Sequence, residues 1–280
     1  MSPYERVPRR RYLAGVGAAS VGLTAGCLDV LDGGDSAENT VLDPPEQYEL
    51  LREARDNDDL VYPIHGDPLP DVSAPCTIRD EPVATTDFED KCHTMYTFIF
   101  SRCHAACPGL VSGLRHVQAD AIDEGVADEV ALKTVTFDPE YDTPDVLYEY
   151  GAQMGVDYDV GNWYFIRPET EDAAHEYVEE AFGCYFARNP EYEGGDHADD
   201  EHGHEDDGHG DEDEHGHGDE NDHSNDDHEQ DDMRDMEMAF MHESMIVLAN
   251  ADGYVERTYA GEVPTPDVLI DDARTLVDRW

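Results

Sequence analysis

Residues 96–108 read YTFIFSRCHAACP, and this stretch combines three local signals. Its first five residues are aromatic or β-branched, which is typical of a buried β-strand. The loop that follows carries two cysteines, Cys103 and Cys107. Pro108 then suits the first turn of a helix, because proline has no N–H to leave unpaired there. The stretch therefore predicts a strand, a loop with two thiols and a helix, in that order.

The same alternation continues along the chain. Residues 130–137 and 163–166 are predicted strands, and a helical pattern follows each of them. Two further strands, at 245–249 and 254–259, are joined by the turn sequence NADG, and a last helix follows. Strands separated by helices in this way predict an α/β fold with a central mixed sheet flanked by helices.

The composition is strongly acidic. The chain has 280 residues, 68 Asp and Glu against 17 Lys and Arg, and a formal net charge of −51. Nucleic-acid binding is excluded as a function, because neutralising phosphates needs clustered Lys and Arg. A compact domain with this charge repels itself in dilute buffer, whereas molar salt screens the repulsion. The composition resembles that of proteins from salt-loving archaea.

The N-terminus has the features of an export signal. Arg9 and Arg10 precede an apolar run that is too short to cross a bilayer as a helix, and small residues precede Cys27. Residues 1–26 are therefore predicted to be a twin-arginine lipoprotein signal. Cys27 becomes the lipid anchor on the extracytoplasmic face of the cell membrane. Residues 27–66 are predicted to be a tether with a possible short helix at 44–55, which either packs on the domain or belongs to the tether, and the folded domain is expected at 67–280.

The residues alone leave three interpretations of Cys103 and Cys107: a structural disulfide, a redox-active pair and a metal site. The N-terminus of a helix stabilises thiolates, which are both nucleophiles and ligands of soft metals. The three residues between the cysteines favour a metal site. His242 is the best candidate for a third ligand, because it lies where a loop meets the apolar strand at 245–249. Two thiolates and one imidazole would complete a three-coordinate Cu(I) site.

Three motifs together resemble the Sco/SenC family. They are FxFxxCxxxCP at 98–108, DPEYDTP at 138–144, and the segment from His242 to the Asp-Gly pair at 252–253. The resemblance covers 67–280 and implies a thioredoxin-like fold. It also implies copper, as Cu(I) or Cu(II), held by Cys103, Cys107 and His242. The family's function would make this a membrane-anchored protein that delivers copper to the copper-bearing subunit of cytochrome c oxidase, or assembles its dinuclear copper centre.

Other functions stay open at this point. An extracytoplasmic thiol-disulfide oxidoreductase that keeps oxidase cysteines reduced would use Cys103 and Cys107 as a redox pair, without needing His242. A peroxidase of the thioredoxin superfamily is a weaker alternative, because CxxxCP does not resemble a peroxidase motif. A metallochaperone that is not an enzyme is favoured. His104 departs from the family, which usually has proline directly after the first cysteine.

Residues 191–232 stand out as an acidic, histidine-rich segment. They hold 21 acidic residues, no Lys or Arg, and eight of the chain's 14 histidines. The segment has too little apolar surface to offset its ordering entropy, so it is predicted to be a disordered insertion in the domain. Imidazoles and carboxylates suit Cu(II), which predicts a secondary metal buffer; a solvated loop with incidental histidines is the alternative. These histidines are His197, His202, His204, His209, His215, His217, His223 and His228.

Five residues have less certain roles. Cys76 and Cys92 could pair, as expected of an exported protein, or could remain two free thiols. Cys184 is predicted to be a buried strand residue. Asp138 and Asp142 could hydrogen-bond near the thiol loop, but turn and cap chemistry is the favoured interpretation.

Overall fold

The computed structural model describes residues 39–57, 59–79, 81–190 and 239–280. The predicted signal, Cys27 and the insertion at 191–232 lie outside these residues. The chain divides into two units, one made of Met1–Phe186 with His242–Trp280 and the other of Ala187–Met241. The sheet and the site below belong to the first unit.

A five-stranded mixed sheet forms the centre of the first unit. The strands of the described chain are β1 (Ser73–Ala74), β2 (Val83–Ala84), β3 (His93–Ile99), β4 (Val130–Thr136), β5 (Trp163–Ile166), β6 (Phe186–Arg188), β7 (Phe240–His242), β8 (Met245–Ala249) and β9 (Val255–Ala260). The sheet order is β5-β4-β3-β8-β9; β3, β4 and β5 are parallel, and β8 is antiparallel to both of its neighbours. The predicted mixed sheet is therefore confirmed. β1 pairs with β2, and β6 pairs with β7.

Helices supply the remaining regular structure. They are α1 (Tyr48–Asp56), α2 (Ala106–Glu124), α3 (Pro144–Gln153), α4 (Glu171–Ala174) and α5 (Pro266–Arg279), with 3-10 turns at Thr85–Phe88, Ala127–Glu129 and Tyr158–Val160. The helix predicted after the strand at 163–166 is α-helical only in α4 and continues as a π-helix, His175–Ala181. Gly113 lets α2 approach α5, because a Cβ there would lie 2.8 Å from Leu269 Cδ1. None of the helices in the described parts of the chain combines the length and apolar character that crossing a membrane requires.

A buried row of side chains crosses the three parallel strands. Tyr96 of β3, Lys133 of β4 and Tyr164 of β5 are in register and point to the same face. Lys133 Nζ donates to the Tyr96 hydroxyl at 2.6 Å and lies 3.4 Å from the centre of the Phe88 ring. Both faces of these strands are covered, so even this lysine is fully buried.

The segment before residue 67 packs on the domain. The carboxylate of Glu256, buried on β9, accepts hydrogen bonds from the backbone N–H groups of Val41 and Leu42 at 2.8 and 2.9 Å. His65 Nδ1 donates to the Glu256 carbonyl at 3.0 Å. The packed part of the chain therefore begins near residue 40, earlier than the predicted boundary at residue 67.

The sheet separates Cys76 from Cys92. Cys76 forms a β-bridge with Ile166 on the outer side of β5, whereas Cys92 directly precedes β3. Two strands lie between them, which at about 4.8 Å per strand puts the two residues roughly 14 Å apart. A disulfide spans no more than about 7 Å between Cα atoms. A disulfide between them does not fit this sheet, and both are free thiols.

Candidate metal centre

The loop between β3 and α2 carries the thiol pair. Phe100 is buried at the end of β3, and its carbonyl accepts the N–H of Cys103 at 3.1 Å. Helix α2 begins at Ala106, two residues before the predicted start at Pro108, so Cys107 lies inside its first turn. Both thiols are buried, whereas His104 is exposed.

His242 brings a third donor to the two thiols. It is the last residue of β7, and its Nε2 lies 3.8 Å from the Sγ of Cys103 and 3.8 Å from that of Cys107. The three donor atoms all lie within 4.8 Å of one another. A metal about 2.3 Å from sulfur and about 2.0 Å from nitrogen, with ligands spread evenly in a plane, separates S and N by about 3.7 Å. The spacing of these three atoms therefore fits a three-coordinate metal ion.

The orientation of His242 leaves Nε2, the nitrogen that faces the two sulfurs, available to bind a metal. The carbonyl of Glu243 can only accept, so the contact of 3.1 Å from Nδ1 means that Nδ1 carries the proton. The lone pair of Nε2 then points at the sulfurs. The rings of Phe100 and Phe137 lie 5.7 and 5.3 Å from the imidazole and limit its rotation.

The site shifts the pKa values of its two thiols in opposite directions. A hydrogen bond from the Cys107 thiol, aided by one from His242 when its imidazole carries both protons and by backbone N–H groups of the loop, outweighs burial and lowers the pKa of Cys103 to about 4. Burial and the neighbouring Cys103 raise the pKa of Cys107 well above its usual value. Burial lowers the pKa of His242, but hydrogen bonds with Cys103 and the Glu243 carbonyl outweigh it, so the net shift is upward. At neutral pH the pair is therefore one thiolate and one thiol.

Two carboxylates in the loop that follows β4 hold the thiol loop. Asp142 accepts from the backbone N–H of Ser101 at 3.1 Å, and from the hydroxyls of Ser101 and Thr136. Asp138 accepts from Arg102 Nη2 at 2.6 Å. The favoured interpretation of these aspartates as turn and cap residues is therefore wrong for their side chains, which bond the thiol loop instead.

The contact between Cys184 and Glu243, the residue after His242, is not predicted by any sequence pattern. Cys184, which precedes β6 and is not in a strand, donates its thiol to the Glu243 carbonyl at 3.5 Å. The two residues are 59 positions apart, so no local signal reports the contact.

Some predicted site residues cannot be placed. Cys27 and the eight histidines of 191–232 lie outside the described residues. Within the described ranges, Cys103, Cys107 and His242 form the one group of three or more His, Cys, Asp or Glu side chains with metal-binding spacing.

Comparison with known proteins identifies what the chain resembles. The SCO1/SenC family model matches residues 76–204, a range that contains both thiols and ends before His242. Among curated proteins nothing matches. A SCO1/SenC family lipoprotein from Bacillus anthracis is similar in structure, with 16% identity, a TM-score of 0.51, and coverage of 75% of this chain and 95% of that protein. Yeast Sco1, solved with copper bound, has 14% identity, a TM-score of 0.50, and coverage of 76% and 91%.

These likenesses concern the fold. The mixed sheet and its flanking helices are shared with Sco proteins, and the expected thioredoxin-like fold is confirmed.

Proposed function

We propose that this chain is a copper-binding protein of the Sco/SenC family, and that it carries copper on Cys103, Cys107 and His242. The observation that carries the proposal is the convergence of two sulfurs and one imidazole nitrogen, with Nε2 3.8 Å from each sulfur. The histidine comes from a segment more than 130 residues away in sequence, so local chain geometry does not explain it.

The donor set favours copper over the commoner alternatives. Thiolates select soft metals, and Mg²⁺ and Ca²⁺ prefer oxygen ligands. Structural zinc sites use four protein ligands, whereas this group has three. Open zinc sites can use the same set of two cysteines and one histidine, so the choice of copper rests on the resemblance to the Sco/SenC family. Copper here is cargo: a three-coordinate site leaves one side of the ion open to an incoming ligand of an acceptor protein.

The acceptor we propose is the copper-bearing subunit of cytochrome c oxidase, which the protein would load or help to assemble. This step rests on the resemblance of the three sequence motifs to the Sco/SenC family and on the matching family model. The proposed location is the extracytoplasmic face of the cell membrane, through lipid on Cys27. The support is the sequence around Arg9, Arg10 and Cys27.

One observation favours a second function. Cys103 is the thiolate and Cys107 the protonated thiol, which is the arrangement of an attacking and a resolving cysteine. Cys103 would attack a disulfide of the partner, forming a mixed disulfide and releasing one partner sulfur as a thiolate, which would take the proton of Cys107. Cys107 would then attack the Cys103 sulfur of the mixed disulfide, release the partner's second thiolate and leave Cys103 and Cys107 joined as a disulfide. A thiol-disulfide reductase of this kind needs no third ligand.

His242 distinguishes the two functions. We expect His242→Ala to lower the Cu(I) affinity at least about 100-fold, measured by competition with a chromogenic Cu(I) chelator. The thiolate-to-Cu(II) absorption band should be lost or shifted. His116→Ala, at an exposed position on α2, is the matched control and should keep the affinity of the parent. Unchanged Cu(I) affinity in His242→Ala would reject the metal site, and retained disulfide reduction would then favour the reductase.

A further inference from the structure

A buried thiol lies behind the metal-binding face of His242. Cys184 is fully buried, and its Sγ donates to the Glu243 carbonyl at 3.5 Å, a normal distance for sulfur. The same carbonyl accepts the Nδ1–H of His242 at 3.1 Å. One carbonyl oxygen therefore joins Cys184 to His242.

The backbone fixes both sides of this contact. The N–H of Cys184 donates to Val178 O at 3.0 Å, at the end of the π-helix, and the N–H of Glu243 donates to Tyr185 O at 2.9 Å. Gly183 has φ +68°, and a Cβ there would lie 2.6 Å from the backbone nitrogen of Tyr62. The segment that carries Cys184 can therefore adopt this path only with glycine at 183.

The direction of the Glu243 carbonyl decides which nitrogen of His242 can bind a metal. A neutral imidazole carries its proton on either Nδ1 or Nε2, and only the Nδ1–H form offers Nε2 as a ligand. A carbonyl that accepts from Nδ1 selects that form. If the carbonyl turned away, Nε2–H would face the two sulfurs and compete with a metal.

We propose that Cys184 is a positioning residue for His242, because its thiol holds the Glu243 carbonyl where that carbonyl accepts the Nδ1–H of the imidazole. The inference rests on the proposed copper site, since it explains how one of the three ligands is prepared. Burial raises the pKa of Cys184, so the thiol stays protonated and remains a donor. Cys184 is not itself part of the three-ligand group.

The test is a tautomer measurement on the metal-free protein, paired with Cu(I) affinity. Full-length protein carrying ¹⁵N-labelled histidine is compared by NMR at mildly alkaline pH in four forms: parent, Cys184→Ala, Cys184→Ser and Cys76→Ala. We expect His242 to be in the Nδ1–H form in the parent, and to become a mixture of both forms in Cys184→Ala. The Cu(I) affinity of Cys184→Ala should fall about 10-fold, which is typical of losing a hydrogen bond behind a ligand.

Two controls separate positioning from packing. Cys184→Ser keeps a hydroxyl donor and should restore both the tautomer and the affinity, and Cys76→Ala removes another buried thiol and should change neither. An unchanged tautomer in Cys184→Ala would overturn the inference, as would a folded Ser variant with His242 in the Nε2–H form. The Ser variant carries the test alone if the Ala variant does not fold. A parent that binds no copper would reject the proposed function, while the tautomer comparison would still decide the role of Cys184.

Discussion

The backbone N–H of Ser101 donates to the side chain of Asp142 at 3.1 Å, which ties the loop of the thiol pair to a residue two positions before helix α3. Asp142 is fully buried, and its carboxylate also accepts from the hydroxyls of Ser101 and Thr136. Three donors on one carboxylate leave little freedom to the loop. The position of Cys103 therefore depends partly on Asp142, which lies in the connection between β4 and α3.

We expect Asp142→Asn to destabilise the protein and to loosen the metal site. The amide keeps one acceptor oxygen but turns an NH₂ group toward donors, so at least one buried donor loses its partner. The free energy of unfolding, from urea titration, should fall by about 1–3 kcal/mol. Cu(I) affinity should fall with it. Asp145→Asn, in the exposed first turn of α3, is the matched control and should leave the affinity unchanged. A variant at 142 with parental stability and affinity would show that the loop does not depend on this carboxylate.

The thiolate of Cys103 should give the metal-free protein a titration in the acid range. Because the pKa of Cys103 is lowered from 9.0 to about 4, its thiolate absorbance in the ultraviolet should persist at pH 6 and disappear as the pH falls through about 4. Cys103→Ser should lack this step. Cys107→Ala removes the hydrogen bond to Cys103 and should move this step to higher pH. Cys107→Ser keeps a hydroxyl donor and should move it less.

The same shift has a consequence for stability. A thiol whose folded pKa is below its unfolded value stabilises the folded state fully above the unfolded pKa, and this contribution is lost as the pH falls through the folded pKa. The stability of the parent relative to Cys103→Ser should therefore decrease from pH 9 toward pH 4. A difference that is independent of pH would contradict the assignment of the thiolate to Cys103.

Several parts of this structure follow directly from local sequence. The aromatic and β-branched run ending at Phe100 predicts β3, and Thr143-Pro144 marks the start of α3, where the Thr143 side chain accepts from Val146 N at 3.3 Å. The thiol pair is visible from its spacing alone. His242 could be identified because it stands just before an apolar strand, where a loop meets the sheet.

The features that sequence patterns do not predict depend on contacts between residues far apart in the chain. The bond from Ser101 to Asp142 spans 41 positions and that from Cys184 to Glu243 spans 59, and short polar side chains give no periodic signal of either. The sequence leaves open whether the helix within 27–66 packs on the domain, because Glu256, which bonds the backbone just before this helix, is more than 200 positions away. The π-helix escapes prediction, because its apolar spacing differs too little from that of an α-helix.

The chain has two lysines, and Lys133 allows the energetic cost of the buried Lys133–Tyr96 hydrogen bond to be tested. Burial lowers the pKa of Lys133 well below its usual value. The folded state therefore binds fewer protons than the unfolded state, and this lysine costs stability below its unfolded pKa of 10.5, a cost that shrinks as the pH rises toward that value. We expect Lys133→Met combined with Tyr96→Phe, which removes both partners of the hydrogen bond, to raise the unfolding free energy by about 0.5–2 kcal/mol at neutral pH.

The matched control for this pair is Lys91→Met, an exposed position that should show no measurable change. The advantage of the double variant should diminish at alkaline pH. A double variant that is less stable than the parent at every pH would show that packing around the lysine stem outweighs the cost of burying its amine.

Deletion of residues 191–232 should leave the domain and its high-affinity site intact. Asn189 N donates to Ala239 O at 3.0 Å, so the described residues on either side of this part of the chain already pair with each other. In a Cu(II) titration the deletion should remove several weak equivalents, and in the parent these should be lost below about pH 6 as imidazoles protonate near their reference pKa of 6.5. Replacing the eight histidines by glutamine at full length separates their effect from that of the acidic residues. Parental Cu(II) capacity after either change would show that the segment is not a metal buffer.

Because β6 pairs with β7, the number of residues that connect these two strands can change at little cost in stability. Closing a loop costs only about 0.6 kcal/mol more for each doubling of its length. A lineage could therefore lengthen, shorten or replace the connection between Arg188 and Phe240 by small genetic steps, while the strand that ends in His242 keeps its partner. The same property makes this connection a natural position for grafting a reporter or an affinity handle without rebuilding the domain.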